Sequence, residues 1–189
     1  MIILASASPR RQDILKTAGY EFSIHPMDID EENIHAATKE ELVMQLALAK
    51  SRACRQSLDK LASDDYIIGA DTLVFKDDRR LGKPANKEEW REYIKLLRNG
   101  MHEVITGVCI LNNDKERVFY STTIVTVDSM SDDDIDRYIS LGEDMDKAGG
   151  YAIQGYFAKF ISSIEGEYNN VVGFPIAAFR KEFDAFHNL

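Results

Sequence analysis

Hydrophobic and polar positions along the chain follow two periods, one typical of strands and one typical of helices. Apolar runs at 2–5 and 66–75 predict buried strands, and long β-like runs at 103–111 and 118–127 predict two more. Between the first two runs, a stripe of apolar residues with helical spacing predicts the core face of a long helix that ends near Leu61. That stripe consists of Leu42, Leu46, Ala49 and Ala53.

Capping residues predict where the helices begin and end. Ser, Thr and Asn suit the N-cap, Pro suits the first turn, and Gly suits the position after the last turn. The predicted starts are Ser8-Pro9, Thr38, Asn86, Ser131 and Pro175, and the predicted stops are Gly19, Gly100 and Gly142. Two more strands are predicted, an edge strand at 21–26 and a strand at 157–164.

The order of these elements predicts the fold class. Strands and helices alternate in the first half, and a paired β region is inserted in the second half, which is typical of an α/β protein with a mixed sheet flanked by helices. A length of 189 residues fits one domain. We therefore predict a single domain over 1–189, and if it has two lobes, they share the sheet.

Composition and charge narrow the classes of partner. A formal net charge of −9 argues against a nucleic-acid duplex or an anionic membrane, whereas a small phosphorylated ligand is compatible because local charge decides its binding. Cys54 and Cys109 fit reduced core residues, and no apolar run has the length of a membrane span, so we expect a soluble cytoplasmic protein. The histidines show no metal-ligand spacing and are expected at the surface or in turns; they are His25, His35, His102 and His187.

Ser8, Arg10 and Arg11 point to an anion site at the start of the first helix. Two arginines in the first turn oppose the helix dipole, which favours acidic residues there. Free backbone amides, hydroxyls and guanidinium groups together suit a phosphate. The alternative is that both arginines point into solvent.

Two charged residues stand in unusual local settings. Asp71 lies inside an apolar run, where a carboxylate is costly to bury unless it is paired or metal-bound; the alternative is an aspartate that caps a turn. Pro84 pushes Lys83 into an extended conformation, and Gly82 lets the backbone bend close to a ligand, so Lys83 can act as a point charge for phosphate. A solvated loop lysine is the alternative for Lys83.

Two loops complete the candidate chemistry. The glycine-containing loop 146–155 carries Lys147, Tyr151 and Gln154, of which the tyrosine can stack on a nucleobase and the glutamine can hydrogen-bond it. The alternative is a flexible loop without a ligand. An acidic loop at Asp30-Glu31-Glu32 has no helix start to serve, and its hard oxygens can hold Mg²⁺.

Taken together, these segments resemble the Maf family of nucleoside triphosphate pyrophosphatases. Eight ordered motifs across nearly the whole chain carry the resemblance. They are S-x-S-P-R-R (6–11), D-x-D-E (28–31), L-A-x-x-K (46–50), G-A-D-T (69–72), G-K-P (82–84), I-T-G-V (105–108), D-K-A-G-x-Y-x-I-Q-G (146–155) and E-G-x-Y-x-N-V-V-G-x-P (165–175). The seventh motif resembles the branch of the family that acts on dTTP and UTP.

The resemblance implies hydrolysis of a nucleoside triphosphate to the monophosphate and pyrophosphate with a divalent cation, Mg²⁺ or Mn²⁺. It also implies a mixed α/β fold with the site in a central cleft between two lobes. Asp71 would accept a proton or hold the metal, Glu31 (less so Glu32) would hold metal or water, and Lys50 and Lys83 would contact phosphates. The residues implied in substrate binding and choice are Ser8, Arg10, Arg11, Thr72, Lys147, Tyr151 and Gln154.

Two other functions remain open from the sequence. The protein can be a nucleotide-binding regulator of septum formation or cell division that acts through a protein partner. Alternatively, it can hydrolyse modified pyrimidine nucleotides. A homodimer is the default expectation for a soluble enzyme.

Overall fold

The structure, a computed structural model, describes residues 1–113, 115–142 and 144–187. Within them the helices are α1 (Pro9–Thr17), α2 (Lys39–Ser57), α3 (Lys87–Leu97), α4 (Asp132–Leu141), α5 (Tyr168–Val172) and α6 (Ile176–His187). The strands are β1 (Ile2–Leu4), β2 (Phe22–Ile24), β3 (Tyr66–Lys76), β4 (Arg79–Leu81), β5 (Gly100–Asn112), β6 (Lys115–Val127) and β7 (Ile161–Glu165). Short 3₁₀ helices cover Ala148–Gly150 and Tyr156–Phe160.

The strands form one mixed sheet with the order β2-β1-β3-β5-β6-β7, and β4 pairs with β3 off this path. β1 runs parallel to β2 and β3, so Leu4 lies opposite Ile24 on one side and Ile68 on the other. β3 and β4 are antiparallel, as are β6 and β7. The predicted α/β class with a mixed sheet is confirmed.

The chain divides into two compact units. The first unit comprises Met1–Thr72, Thr106–Ser121 and Gly173–Leu189, and the second comprises Leu73–Ile105 and Thr122–Val172. Two apolar clusters form the core of the first unit, and one cluster forms the core of the second. The single domain over 1–189 and the cleft stay predictions.

Most predicted helix boundaries are confirmed, and their caps explain them. The Asn86 side chain accepts a hydrogen bond from the Glu89 N–H at the start of α3, and Ser131 begins α4 with a complete capping box. At α2 the Thr38 hydroxyl accepts a hydrogen bond from the Glu41 N–H. The Glu41 carboxylate accepts from the Ala37 N–H, so the reciprocal bond of a capping box is not formed with the Thr38 N–H.

Two predictions about α2 are wrong. The helix ends at Ser57 and not near Leu61, because the Ser57 hydroxyl donates to the Cys54 carbonyl at 2.8 Å, a local bond that competes with helix continuation. The predicted stripe is also displaced, since only Leu46 of its four members is fully buried. The face that packs inward consists of Val43, Leu46, Ala47, Ser51 and Cys54.

The strand predicted at 157–164 is wrong at its start, because β7 begins at Ile161. Phe157 and Phe160 are buried in a 3₁₀ helix instead, and their spacing of three matches one turn of such a helix and not the alternation of a strand. Helix α5 was not predicted from the sequence. Among the described residues, no helix combines the length and apolar character that crossing a membrane requires.

Candidate active site

A carboxylate–lysine–carboxylate cluster lies in the first unit. Asp71, in the middle of β3, is only 6% exposed. The Lys50 ammonium, which projects from α2, donates to Asp71 Oδ1 and also pairs with Glu31 Oε1 at 2.8 Å. The structure thus brings together three of the residues that the sequence singled out.

Two glycines allow α2 to approach the sheet closely enough for this contact. A Cβ atom added at Gly69 of β3 would overlap Ser51 Oγ and the Ala47 carbonyl oxygen, and one added at Gly107 of β5 would overlap the Val43 carbonyl. The backbone of α2 therefore lies directly against both strands. This close packing sets Lys50 against Asp71.

The second oxygen of Asp71 has a different environment from the first. Asp71 Oδ2 is buried and has no hydrogen-bond partner among the described residues. A buried carboxylate oxygen without a partner carries a desolvation cost, which a bound water, metal ion or substrate group would relieve. The cluster therefore has one satisfied oxygen and one without a partner among the described residues.

Arg11 is buried and organises the start of α1. Its Nε donates to the Gly173 carbonyl at 2.9 Å, its Nη1 to Ser6 Oγ at 3.0 Å and its Nη2 to Thr72 Oγ1 at 3.1 Å. Burial lowers the pKa of Arg11, and the negative charges of Asp71 and Glu31 oppose that shift. The solvent-facing alternative is thus wrong for Arg11, since most of its donors already have partners within the protein.

Thr72 joins this network beside the catalytic candidate Asp71. Its hydroxyl lies 3.0 Å from Thr106 Oγ1 and 3.2 Å from the Gly173 carbonyl, in addition to the bond from Arg11. Three segments that are distant in sequence thus meet at the strand position next to Asp71. Arg11 is the centre of this arrangement.

Ser8 and Arg10 are both half-buried at the start of α1. Ser8 is at the N-cap position, as predicted, but its side chain makes no capping hydrogen bond to α1. Arg10 is half-buried, and its charge acts on Arg11 by lowering the pKa of that guanidinium. No acidic residue lies in the first turn, so the helix dipole and Arg10 leave this end positive.

The second unit holds the remaining sequence-predicted residues. Lys83 and Gln154 are exposed. Lys147 pairs with Asp144 at 3.0 Å and Asp146 at 2.8 Å. Burial alone would lower the pKa of Lys147, but its hydrogen bonds to Asp146 and Asp144 outweigh that effect and raise it.

The loop that carries these residues is held in place by its backbone. The Gly149 N–H donates to the Gly82 carbonyl at 3.0 Å, next to Lys83 in the chain. The Gly150 carbonyl accepts from Trp90 Nε1 at 2.6 Å and lies 3.0 Å from the Tyr138 hydroxyl. These bonds tie the loop backbone to Gly82, Trp90 and Tyr138.

Tyr151 does not lie where the sequence placed it. It is 5% exposed, and its ring packs against Phe157 with centroids 4.8 Å apart. Its hydroxyl lies 2.6 Å from His102 Nε2. Because the ring belongs to the core of the second unit, little of its face is free to stack on a base.

His102 corrects a sequence expectation, because it is 2% exposed and not a surface or turn residue. Burial, with a smaller effect of Lys76, lowers its pKa to about 3. The signal was its position in the run 100–112, where it shares the inward alternation of Val104. Metal-ligand spacing of the histidines does not reveal this alternation.

The donor set for a metal is small. Within the described residues, no group of three or more histidine, cysteine or acidic side chains is arranged to hold a metal ion. Glu31 and Asp71 are two carboxylates that share Lys50, and Asp71 Oδ2 is unpartnered. Two carboxylates fit Mg²⁺ where substrate phosphates and waters supply its other ligands.

The fold and this cluster define a mixed α/β protein with a buried carboxylate–lysine pair beside a cationic helix start. The chain belongs to the Maf family, because the family model described as "Maf-like protein" matches residues 1–186. This agrees with the resemblance carried by the sequence motifs. The match covers all the site residues described above.

Similar proteins have been identified by sequence and by structure. The chain is 41% identical over 186 residues to proteins named "dTTP/UTP pyrophosphatase" from Bacillus anthracis and from Bacillus cereus, covering 98% of this chain and 95% of each relative. Among solved structures, the Staphylococcus aureus Ham1 protein is similar with a TM-score of 0.47 and 15% sequence identity. That similarity covers 85% of this chain and 79% of the Ham1 chain.

Proposed function

We propose that the protein hydrolyses dTTP and UTP to the nucleoside monophosphate and pyrophosphate. The observation that carries this proposal is Asp71, a buried carboxylate with Lys50 on one oxygen and, within the described part of the chain, no partner on the second. The names of the 41% identical relatives support the reaction and the two substrates. They do not favour the regulatory alternative.

In the proposed reaction, a water molecule attacks the α-phosphorus and the bond to the bridging oxygen breaks, so that pyrophosphate leaves. Asp71 Oδ2 is the group we assign to accept the proton of that water. Lys50 and Arg10 offset the negative charge that the phosphate oxygens accumulate, and the free N–H groups of α1 add to this. Lys83 is assigned to the phosphates by its charge alone.

We assign Glu31 and Asp71 as the protein ligands of a divalent cation, Mg²⁺ or Mn²⁺. When bound, such a cation neutralises phosphate charge and lowers the pKa of coordinated water. Lys50 contributes positive charge to the same two carboxylates. Because Glu31 is one of only two assigned ligands, metal binding should weaken in Glu31→Gln, measured by calorimetry with Mn²⁺ and without nucleotide.

Gln154 is assigned to the nucleobase. Its amide can donate to O4 and accept from N3–H of thymine or uracil. Loss of such a buried hydrogen bond costs about 1–3 kcal/mol, or roughly tenfold or more in discrimination. Ser8, Thr72 and Lys147 are assigned to substrate binding by the family resemblance, whereas Arg11 is assigned to holding Thr72.

The test is a panel of ribo-, deoxyribo- and modified triphosphates, with pyrophosphate and orthophosphate measured separately. In ¹⁸O-labelled water, attack at the α-phosphorus places the label in the monophosphate. Pyrophosphate release concentrated on dTTP and UTP supports the proposal. A preference for modified pyrimidine nucleotides would keep the reaction but change the proposed substrates. Orthophosphate release, or label in the pyrophosphate, would contradict it.

Asp71→Asn tests the proposed proton acceptor. General-base catalysis contributes roughly 10²–10⁴-fold, so kcat should fall by about that factor. Asp132→Asn is the matched control, because Asp132 is an exposed aspartate that pairs with Arg98 at 2.7 Å. Circular dichroism of both variants checks that each is folded.

Two further proposals concern the state of the protein in the cell. Cys54 and Cys109 are buried free thiols, which supports a reducing cytoplasm. We also propose a homodimer, on the general ground that soluble enzymes commonly form one. Sedimentation of the purified protein tests the oligomeric state.

A further inference from the structure

A buried histidine–tyrosine pair lies in the second unit, outside the residues assigned above to the reaction. His102 is 2% exposed and Tyr151 is 5% exposed. The His102 Nε2 and the Tyr151 hydroxyl are 2.6 Å apart, and the rings meet edge to face at 86°. His102 Nδ1 is also buried, and it has no hydrogen-bond partner in the part of the chain that the structure describes.

The direction of this hydrogen bond follows from which donor and acceptor match best. If Nε2–H donated to the tyrosine oxygen, the hydroxyl proton and the Nδ1 lone pair would both be left without partners. If the tyrosine donates, its acidic hydroxyl proton meets the basic imidazole lone pair, and the groups left unpaired are the Nδ1–H and the weakly accepting phenolic oxygen. Burial raises the pKa of Tyr151 and lowers that of His102, so both groups are neutral. Between two neutral groups the better match makes Tyr151 the donor.

Tyr151 also closes the segment that presents Gln154. Its ring contacts the Phe157 ring at 4.8 Å, which brings the two ends of a short segment together. Ile153 is buried inside that segment, and Gln154 is exposed between the two anchored rings. Gln154 thus lies in a short segment whose two ends are joined by this ring contact.

Gln154 needs such an anchor if it is to discriminate between pyrimidines. A glutamine amide carries both a donor and acceptors, and a rotation of its terminal group exchanges them. In one orientation it matches thymine or uracil, and in the other it matches cytosine. Preference for one class therefore requires that one orientation be favoured, and this depends on the groups that the segment places around the amide.

We propose that His102 is a positioning residue that acts through Tyr151 to hold Gln154, and that this pair sets the preference for thymine and uracil over cytosine. The proposal rests on the proposed function, because it assigns the specificity of that same reaction. His102 touches neither substrate nor metal in this account. Its contribution is to the orientation of the segment 151–157.

A merely structural pair would behave differently from a positioning pair. Replacing both members of a buried hydrogen bond by apolar groups of similar shape is often nearly neutral for stability. The double variant His102→Leu/Tyr151→Phe should therefore keep its Tm within about 3 °C. If the pair positions Gln154, this stable variant should nevertheless lose base discrimination.

The experiment measures kcat and KM for dTTP and dCTP, with Tm measured in parallel. His102→Asn, whose amide is too short to reach the tyrosine, should reduce the dTTP/dCTP ratio of kcat/KM by about tenfold, mainly through KM. His102→Gln places an amide near the Nε2 position and should restore most of the ratio. Thr123→Val is the control, since it removes buried hydrogen bonds of the same unit to Glu167 and Asn170.

The outcomes separate this inference from the proposed function. Loss of the ratio in His102→Asn and in the double variant, with rescue by His102→Gln and no change in Thr123→Val, supports it. A wild-type ratio in His102→Asn, or an equal loss in Thr123→Val, overturns this inference. If Gln154→Glu still shifts the preference in that case, the assignment of Gln154 to the base stands. If Gln154→Glu leaves the preference unchanged, the assignment of Gln154 fails, and this inference fails with it.

Discussion

His102 should make the folded protein sensitive to mildly acidic pH. In the unfolded chain its pKa is about 6.5. In the folded protein, burial and the nearby Lys76 lower the pKa to about 3. Between these two values the unfolded state binds a proton that the folded state rejects, so the free energy of unfolding decreases as the pH falls from about 6.5 toward about 3.

The magnitude follows from the two pKa values. One pH unit corresponds to about 1.4 kcal/mol for one proton. At about pH 5 the histidine lies about 1.5 units below its unfolded pKa and remains neutral in the folded state, so its contribution is a loss of about 2 kcal/mol. At about pH 7.5 the same contribution is close to zero.

Urea unfolding of the wild type and His102→Gln at several pH values measures this contribution. Other groups titrate in both proteins, so the difference between the two free energies of unfolding isolates His102. We expect that difference to move by about 2 kcal/mol in favour of the variant between about pH 7.5 and pH 5. A difference that stays constant to within about 0.5 kcal/mol would refute the assignment of a buried neutral histidine.

Three substitutions test other parts of the structure. Gly107→Ala should lower the free energy of unfolding in urea by more than about 2 kcal/mol and also lower kcat, because the added Cβ would push α2 and Lys50 away from Asp71. Wild-type values of both quantities would contradict the close packing. Gly150→Ala should lower Tm, since φ is +69° and the Cβ would lie 2.5 Å from Trp90 Cδ1, and an unchanged Tm would count against the loop anchor. Gln154→Glu should move the preference from dTTP toward dCTP with little change in kcat, because a carboxylate accepts from the cytosine amino group but cannot donate to O4; an unchanged ratio would remove Gln154 from base recognition.

Local signals in the sequence predicted most of the fold. Caps act within four residues, so Asn86 and Ser131 predicted the starts of α3 and α4 correctly. The strand β3 was correct because its apolar run is long and uniform. The buried face of α2 was wrong because Ser51 and Ala47 are small, and their burial depends on glycines of the sheet that no local pattern connects to the helix.

The candidate site was predictable in its parts but not in its pairing. The setting of Asp71 in an apolar strand indicated that it needs a partner, and Lys50 is that partner. The identity of the partner depends on the packing of α2 on β3, which sequence spacing does not reveal. Tyr151 was misplaced for a related reason, since its hydroxyl pairs with His102, 49 residues away in the chain.

The bonds of Arg11 and Thr72 to the Gly173 carbonyl have a consequence for the growing polypeptide on the ribosome. Gly173 follows Thr72 by 101 residues and Arg11 by 162 residues. Both segments of the second unit, ending at Val172, are therefore synthesised before the carbonyl that completes the network beside Asp71. A nascent chain arrested before Gly173 carries every residue assigned to the reaction, yet it lacks the main-chain acceptor of the Arg11 guanidinium.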